Sequence, residues 1–281
     1  MKTIQEKSSS GDLGVKLEIC ANSYASALAA QNGGAIRVEL CENMAEGGTT
    51  PSYAQIKLCV EKLNIQVCPI IRPRGGDFLY TDEEFEIMKS EIKLCKEFGC
   101  DGVVIGLRNA DGTIDKKRTA ALVSLAYPLE VTFHRAFDRV KDMYIALEDV
   151  IEAGCGRILT SGLFPTAEQG MGNLQKLVEA ANNRIVIMPG SGVRSDNINI
   201  IAQKTGASEF HSSARILSAS LMQHYNKNMN ETLEYNTVDE DEIKKLWREL
   251  TADKKSQAEL FMIADLLRND LSRIDLPRSV V

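Results

Sequence analysis

The sequence has no basic excess, no long apolar run and no C-x-x-C pair. Its formal net charge is -6, so the chain as a whole does not attract a phosphate backbone, and nucleic acid is not expected as a partner. No apolar run approaches the roughly 18 residues of a membrane span, and the polar start "MKTIQEKSSSGDLG" does not resemble a secretory signal. We therefore expect a cytoplasmic protein that does not bind membranes.

The cysteine content argues against two further classes of protein. The chain has seven cysteines, an odd number without zinc-knuckle spacing, so neither a disulfide framework nor a structural zinc site is indicated. Reduced thiols fit best. With 281 residues and 44% hydrophobic content, the chain is long enough to form one large domain with a full core.

A regular alternation of β-rich runs and helical segments is the main positive signal. The eight predicted strands are "VKLEICA" from Val15, "AIRVELC" from Ala35, "QVCPIIR" from Gln66, "GVVIGL" from Gly102, "LEVTFHR" from Leu129, "RILTSG" from Arg157, "RIVIMPG" from Arg184 and "ASEFHSS" from Ala207. Eight βα units without a Rossmann fingerprint favour an α/β fold of the (β/α)8 TIM-barrel type over a doubly wound sheet. We predict a single barrel domain at 15–250, a flexible N-terminal arm at 1–14 and a C-terminal helical extension at 251–281.

Helix-capping residues support this alternation. Thr50 is predicted to cap a helix that begins at Pro51, Thr81 to open a helix through a capping box with Glu84, and Ser195 to cap a later helix.

After Ser213 the pattern loosens into a long polar stretch without a clear period. Such loops are usually functional or disordered. The helical run from Asp239 to Leu250 is expected to complete the eighth unit.

Polar residues alternate with apolar ones along the first two strands. The polar faces carry Lys16, Glu18 and Cys20 on the first strand and Arg37, Glu39 and Cys41 on the second. Because the apolar faces must meet the helices, the polar faces point into the barrel. In the lower layer these charges either form satisfied structural ion pairs or contribute to a site, and the sequence leaves both interpretations open.

The same alternation places polar side chains at the C-terminal ends of the strands, where this fold builds its active sites. Glu18, Glu39, Arg72, His134 and Glu209 are the candidate catalytic residues. A carboxylate or imidazole would move a proton while the guanidinium holds an oxyanion. A structural role for His134 is the alternative, and no nucleophile motif specifies a reaction class.

Two small-residue loops follow the seventh and eighth predicted strands. Their candidate anion-binding residues are Gly190, Ser191, Gly192, Ser212 and Ser213. Loops at these positions commonly bind phosphate in this fold, because backbone N–H groups approach the ligand closely. Tight βα connections without any ligand are the alternative.

Cys20 and Cys41 end equivalent strands one βα unit apart. Thiolates select soft cations such as Cu(I), and Met188 is a candidate additional ligand. Adjacent strands lie roughly 4.8 Å apart, so a shared metal is geometrically possible, although barrel shear can separate the two layers. Simple packing of the two thiols is the alternative.

Eight ordered motifs resemble the CutC family, whose members are called copper homeostasis proteins. They are "LEIC", "RVELCENMAEGGTTPSY", "IIRPRGGDFLYTDEEF", "DGVVIGL", "VTFHRAFD", "RILTSG", "IVIMPGSGV" and "EFHSSAR". The resemblance runs from about Leu17 to Arg215. It implies a (β/α)8 barrel, a cytosolic setting and a homo-oligomer, a dimer or tetramer. In animal members it also implies one Cu(I) per subunit, with Cys20 and Cys41 matching the two assigned cysteines.

Two hypotheses for the function follow. The first is a copper homeostasis protein that binds Cu(I) in the cytosol. The second is a TIM-barrel enzyme that acts on a small anionic or phosphorylated metabolite at the C-terminal mouth of the barrel.

Overall fold

All eight predicted strands form in the computed structural model, which describes residues 14–252. They are β1 (Lys16–Ala21), β2 (Arg37–Leu40), β3 (Gln66–Pro69), β4 (Gly102–Ile105), β5 (Glu130–Phe133), β6 (Arg157–Thr160), β7 (Val186–Pro189) and β8 (Glu209–Ser212). The seven helices between them are α1 (Tyr24–Asn32), α2 (Tyr53–Lys62), α3 (Asp82–Phe98), α4 (Lys116–Ala126), α5 (Met143–Glu152), α6 (Met171–Ala181) and α7 (Ile198–Thr205). An eighth helix, α8, covers 240–252. The predicted (β/α)8 fold is confirmed.

The strands form two parallel four-stranded sheets that close into one barrel. Their orders are β3-β2-β1-β8 and β4-β5-β6-β7. The sheets join beyond β3, where the Ile71 N–H donates to the Val104 carbonyl at 2.8 Å, and again where β7 packs beside β8. All C-terminal strand ends therefore lie at one face, the barrel mouth.

Alternating polar and apolar residues along the strands place polar side chains inside the barrel and apolar side chains against the helices. Leu17 and Ile19 of β1 and Leu40 of β2 are fully buried in the apolar core beneath the helices. The intervening Glu18 and Arg37 face inward and bind each other. Period-2 patterning thus places a polar interior within an apolar shell.

The capping predictions were partly correct. Thr81 and Glu84 form the capping box of α3, but α2 begins after Ser52 rather than at Pro51, and α7 begins after Asn197 rather than after Ser195. The Ser195 hydroxyl instead donates to Glu242 at the start of α8, at 2.9 Å. Both misplaced caps bind a residue distant in sequence, which local patterning does not reveal.

The polar stretch after β8 contains an antiparallel ribbon that the sequence did not indicate. Strands β9 (Arg215–Ser218) and β10 (Tyr235–Val238) pair, and Asn22 just beyond β1 donates to the Asn236 carbonyl at 3.0 Å. Helix α8 then completes the eighth unit, as predicted.

The predicted N-terminal arm lies outside the described residues except for Gly14, and so does the predicted extension beyond residue 252. Both domain boundaries stay predictions. Across residues 14–252, no helix combines the length and apolar character needed to cross a membrane.

Candidate functional site

Three sulfur atoms meet at the mouth, beside the ends of β1 and β2. The Cys20 and Cys41 Sγ atoms are 3.5 Å apart, and Met44 Sδ lies 3.2 Å from Cys41 Sγ and 4.0 Å from Cys20 Sγ. Cys20 is half-buried, whereas Cys41 is buried. We call Cys20, Cys41 and Met44 the sulfur cluster.

The register of β1 and β2 explains how the two thiols meet. Cys20 pairs with Glu39 rather than with Cys41, and the Cys41 N–H donates to the Ala21 carbonyl at 2.9 Å. The two cysteines thus occupy successive layers, but their side chains reach each other. Met188 lies lower in the barrel, with its Sδ 3.5 Å from Arg37 Nη2, so Met44 rather than Met188 supplies the third sulfur.

Acid–base groups surround the half-buried thiol of Cys20. One potential ligand atom from each of Cys20, Glu39 and His211 lies within 4.8 Å of the other two. The hydrogen bond with Cys41, together with burial, raises the pKa of the Cys20 thiol well above its usual value. A metal that binds there must therefore displace a proton.

His211 is poised to carry positive charge beside the sulfur cluster. Burial opposes its protonation, but contacts with Cys20 and Glu18 and the negative charge of Glu39 outweigh burial and raise the pKa of His211. Its Nδ1 lies 2.7 Å from Glu18 Oε1, and its Nε2 lies 3.7 Å from Glu39 Oε2. Burial raises the pKa of Glu39 in turn.

Below the sulfur cluster, charged side chains form a buried network that we call the lower layer. Arg37 binds Glu18 and also Glu209, with 2.7 Å between Arg37 Nη2 and Glu209 Oε2. Arg157 Nε lies 2.6 Å from the same Glu209 oxygen. Burial opposes ionisation of Glu209, but Arg157 and Arg37 outweigh it and lower its pKa to about 2. The structure therefore places the candidates Glu18 and Glu209 in arginine ion pairs.

Above the lower layer, the mouth contains a cavity of about 210 Å³ that opens to solvent. Its wall includes Cys20, Glu39, Arg72 and His134. It also includes Ser191, Gly192 and Ser213 from the loops after β7 and β8. The structure thus brings three of the predicted catalytic residues and three of the predicted anion-binding residues to one cavity, next to the sulfur cluster.

His134 presents a buried nitrogen without a partner. Its Nδ1 accepts the Ala136 N–H at 3.2 Å, so the proton sits on Nε2, which has no acceptor among residues 14–252. Burial and the charge of Arg72 lower the pKa of His134 to about 3, which keeps the imidazole neutral. Gly106 makes room for the ring, since a Cβ there would lie 2.2 Å from His134 Nδ1.

Arg72 is buried beside His134 at the cavity wall. Its Nη1 donates to the carbonyls of Glu46 and Gly48, both at 2.6 Å, while its Nε has no acceptor in the described part of the chain. The guanidinium lies 4.7 Å from the centre of the Phe78 ring. A rigid, positively charged donor therefore lines the cavity.

The loops after β7 and β8 use some of their polar groups internally. The Gly190 N–H donates to the Thr160 carbonyl at 3.0 Å, and the Ser212 hydroxyl donates to the Val193 carbonyl at 2.7 Å. The backbone N–H groups of Ser191, Gly192 and Ser213 donate no hydrogen bond within residues 14–252. Ser191 adopts φ +77°, a conformation that favours glycine.

Four residues of the mouth were not predicted from the sequence: Met44, Phe78, Arg108 and Arg139. Met44 follows Cys41 by three residues in a small-residue loop, a spacing that could have suggested a third sulfur ligand. Arg108 and Arg139 lie after β4 and β5, at the face where this fold builds its sites, which was their available signal.

The fold and the mouth define a (β/α)8 barrel protein with thiols and an open cavity at the C-terminal strand ends. The model of the CutC family matches residues 15–216. This chain belongs to the CutC family.

Relatives cover most of the chain. A CutC protein of Chromobacterium violaceum is 53% identical over 208 residues, which are 74% of this chain and 84% of the relative. The human copper homeostasis protein cutC homolog is 45% identical over 216 residues, 77% of this chain and 79% of the relative.

A solved structure is also similar. The crystal structure of the putative copper homeostasis protein CutC from Streptococcus agalactiae aligns with a TM-score of 0.68 at 35% identity. The alignment covers 71% of this chain and 98% of that one.

Proposed function

We propose that this chain binds Cu(I) at the sulfur cluster and serves in copper homeostasis, the function that the names of its human and mouse relatives state. The observation that carries the proposal is the meeting of Cys20, Cys41 and Met44, whose sulfur atoms are separated by 3.2 to 4.0 Å. Thiolate and thioether sulfurs prefer Cu(I) to harder cations.

The charges around the sulfur cluster suit this ion. Two thiolates with one Cu(I) carry a net charge of -1, which is costly to bury without a partner. His211, whose pKa is raised, places a positive charge beside Cys20. Reduced thiols are required, and all seven cysteines are free.

The cellular setting is part of the same proposal. We place the protein in the cytoplasm, where thiols stay reduced, and infer a homo-oligomer from the family resemblance.

The test is an anaerobic Cu(I) titration against a competing chromophoric chelator. We expect one tight equivalent in the wild type and none in the double variant Cys20→Ser/Cys41→Ser. The double variant Cys59→Ser/Cys155→Ser is the matched control, because it removes two other buried thiols and should keep the tight equivalent. If the wild type and Cys20→Ser/Cys41→Ser compete equally well with the chelator, the proposal is wrong.

The cavity favours a second candidate function, an enzyme that acts on a small anionic metabolite. Glu39 or His134 would transfer a proton while Arg72 binds an oxyanion of the substrate. The backbone N–H groups of Ser191 and Ser213, which donate no hydrogen bond within residues 14–252, would bind an anionic group of the same molecule. The supporting observation is the buried, unpartnered Nε2 of His134.

To test this function, a pool of small anionic metabolites is incubated with the protein and followed by mass spectrometry. Consumption of a compound by the wild type but not by His134→Phe supports an enzyme. An unchanged pool with both proteins contradicts it.

A further inference from the structure

Four buried side-chain atoms in residues 14–252 lack a hydrogen-bond partner, and all belong to the mouth segments that follow β3, β4 and β5. They are Arg72 Nε, Tyr80 Oη, Arg108 Nε and His134 Nε2. Buried polar groups are normally paired, because an unpaired one loses its hydration without compensation. The Tyr80 hydroxyl interacts with Arg72, and of the four residues only Arg72 and His134 line the mouth cavity. Their two unpaired donors indicate a place that receives hydrogen bonds from outside the chain.

Phe78 lies at the centre of these loops. The Arg72 guanidinium lies 4.7 Å from its ring centre, that of Arg139 lies 5.3 Å away, and the His134 ring centroid is at 4.9 Å. Arg108 also contacts Phe78, because its backbone N–H donates to the Phe78 carbonyl at 3.0 Å. We call Arg72, Arg108 and Arg139 the arginine cluster.

The backbone of Phe78 is strained. Its φ of +69° belongs to the left-handed region, which is unfavourable for a residue with a Cβ. Such conformations persist where the surrounding structure enforces them, and they concentrate at ligand sites. Here the strained residue holds an aromatic face between two guanidinium groups and His134.

The guanidinium groups of the arginine cluster bind carbonyl oxygens, and the Glu39 carboxylate interacts with Arg72 only at longer range than an ion pair. The three arginines donate to backbone carbonyls: Arg72 to Glu46 and Gly48, Arg108 to Asp77 and Arg139, and Arg139 to Arg135. Among the described residues, no carboxylate forms an ion pair with any of the three.

The nearby acid is already engaged. Asp138 binds Arg135, with 2.7 Å between Asp138 Oδ2 and Arg135 Nε. Burial and then the charge of Arg135, Arg108 and Arg72 lower the pKa of Arg139, despite the opposing effect of Asp138. In a chain of net charge -6, this is a local excess of positive charge.

From this geometry we propose that the arginine side of the mouth binds the oxyanion group of a small organic anion, a carboxylate or a phosphate. Its oxygens accept hydrogen bonds from Arg72 Nε and His134 Nε2 at the cavity wall. Arg108 and Arg139 supply further positive charge from the rim. The cavity of about 210 Å³ is large enough for the oxyanion group of a small molecule.

This inference deepens the second candidate function, on which it rests for the anionic class of ligand. The sequence prediction already let a guanidinium hold an oxyanion, and the structure adds the unpaired His134 Nε2 and the charges of Arg108 and Arg139. The loops after β7 and β8 offer backbone N–H groups, whereas the arginine side offers fixed guanidinium groups and a neutral imidazole.

The test follows the imidazole nitrogens by NMR, because the chain has three histidines. The metal-free protein is titrated with inorganic phosphate and, separately, with malonate at constant ionic strength. We expect at least one anion to shift the His134 nitrogen signals saturably. Saturation with phosphate alone identifies a phosphate ligand, and with malonate alone a carboxylate ligand.

Variants connect the binding to the named groups. His134→Phe and Arg72→Gln should each weaken the anion about tenfold, since a hydrogen bond to a charged group is lost. His134→Gln restores a donor and should recover part of the affinity. Arg184→Gln, which removes a surface arginine bound to Glu148, is the matched control and should leave the affinity unchanged.

Arg72→Gln also loses donors to two loop carbonyls, so His134→Phe keeps the test decisive if Arg72→Gln does not fold. The proposal is overturned if folded wild type shows no saturable shift with either anion, or if His134→Phe binds the anion as tightly as the wild type.

Cu(I) titration of the same variants separates this proposal from the copper proposal. His134→Phe should keep its tight Cu(I) equivalent, and Cys20→Ser/Cys41→Ser should keep its anion affinity. Turnover of metabolites is a third, separate readout, since an anion site without turnover contradicts the enzyme and not the binding.

Discussion

The lower layer and the mouth are both polar and both buried, yet their arginine side chains differ in whether they are paired with carboxylates. In the lower layer, Arg37 and Arg157 each bind the carboxylate of Glu209, and Arg37 binds Glu18 as well. At the mouth, Arg72 donates to uncharged carbonyls, and within residues 14–252 neither its Nε nor the Nε2 of His134 has a hydrogen-bond partner.

This difference separates structure from binding. A buried charge that is fully paired stabilises one arrangement of the strands and leaves nothing to offer a ligand. A buried donor without a partner is a cost to the folded protein that a ligand can remove. The most charged part of a barrel interior is therefore not necessarily its site.

The largest expected effect lies in the lower layer. Arg37→Met leaves the buried Glu18 without its arginine and Glu209 with Arg157 alone, and should lower the free energy of unfolding by about 3–5 kcal/mol. Urea denaturation of the metal-free protein measures it. Arg184→Met removes an exposed ion pair with Glu148 and should cost less than about 1 kcal/mol. If both variants lost the same free energy of unfolding, the ion pairs of the lower layer would be no more important for stability than an exposed one.

The second effect concerns the neutral imidazole of the mouth. The folded-state pKa of His134 is lowered to about 3, so below pH 6.5 the unfolded chain binds a proton that the folded protein does not. Stability should therefore fall by on the order of 2 kcal/mol between pH 6.5 and 5. His134→Phe should remove this slope. Denaturation curves measured between pH 6.5 and 5 test this. If the free energy of unfolding changed with pH equally in the wild type and in His134→Phe, His134 would not be neutral in the folded protein.

A smaller effect tests the third sulfur. Met44→Leu keeps the volume and removes the thioether, so Cu(I) affinity should fall about tenfold, or 1.4 kcal/mol, while the stoichiometry stays at one. The competition titration measures it. Unchanged affinity would make Met44 a packing residue and leave a two-sulfur site.

The smallest effect concerns the strained loop after β7. With φ at +77°, Ser191→Gly should be more stable than Ser191→Ala by about 1 kcal/mol, since both variants lose the hydroxyl bond to the Pro165 carbonyl and glycine alone relieves the strain. Thermal unfolding of the two variants compares them. Equal stability would show that the loop relaxes around the alanine.

Local periodicity was sufficient to predict the barrel and the inward polar faces. Alternation over a few residues assigned Glu18 and Arg37 to the interior, and the structure pairs them there. The capping box of Thr81 and Glu84 is equally local and was found. These features depend on neighbours within one strand or one helical turn.

The remaining features depend on long-range closure. Which layer holds Cys41 follows from the register between β1 and β2, which alternation does not specify. Whether a charge is paired depends on strands distant in sequence: Glu209 forms an ion pair with Arg37, whereas no carboxylate in the described part of the chain forms one with Arg72. The strained backbone of Phe78 is likewise set by the loops packed around it.

The sulfur cluster has a consequence for the order of assembly. Its three residues lie between positions 20 and 44: Cys20 is on β1, and Cys41 and Met44 lie in the loop that follows β2, so their contacts have low sequence separation. The lower layer joins residue 18 to residue 209 and must wait for the last strand of the barrel. Because short loops close at a lower entropic cost than long ones, the thiols can come together while most of the chain is still unfolded. A chain interrupted during synthesis after its second βα unit would already hold both cysteines, long before any ion pair with β8 could form.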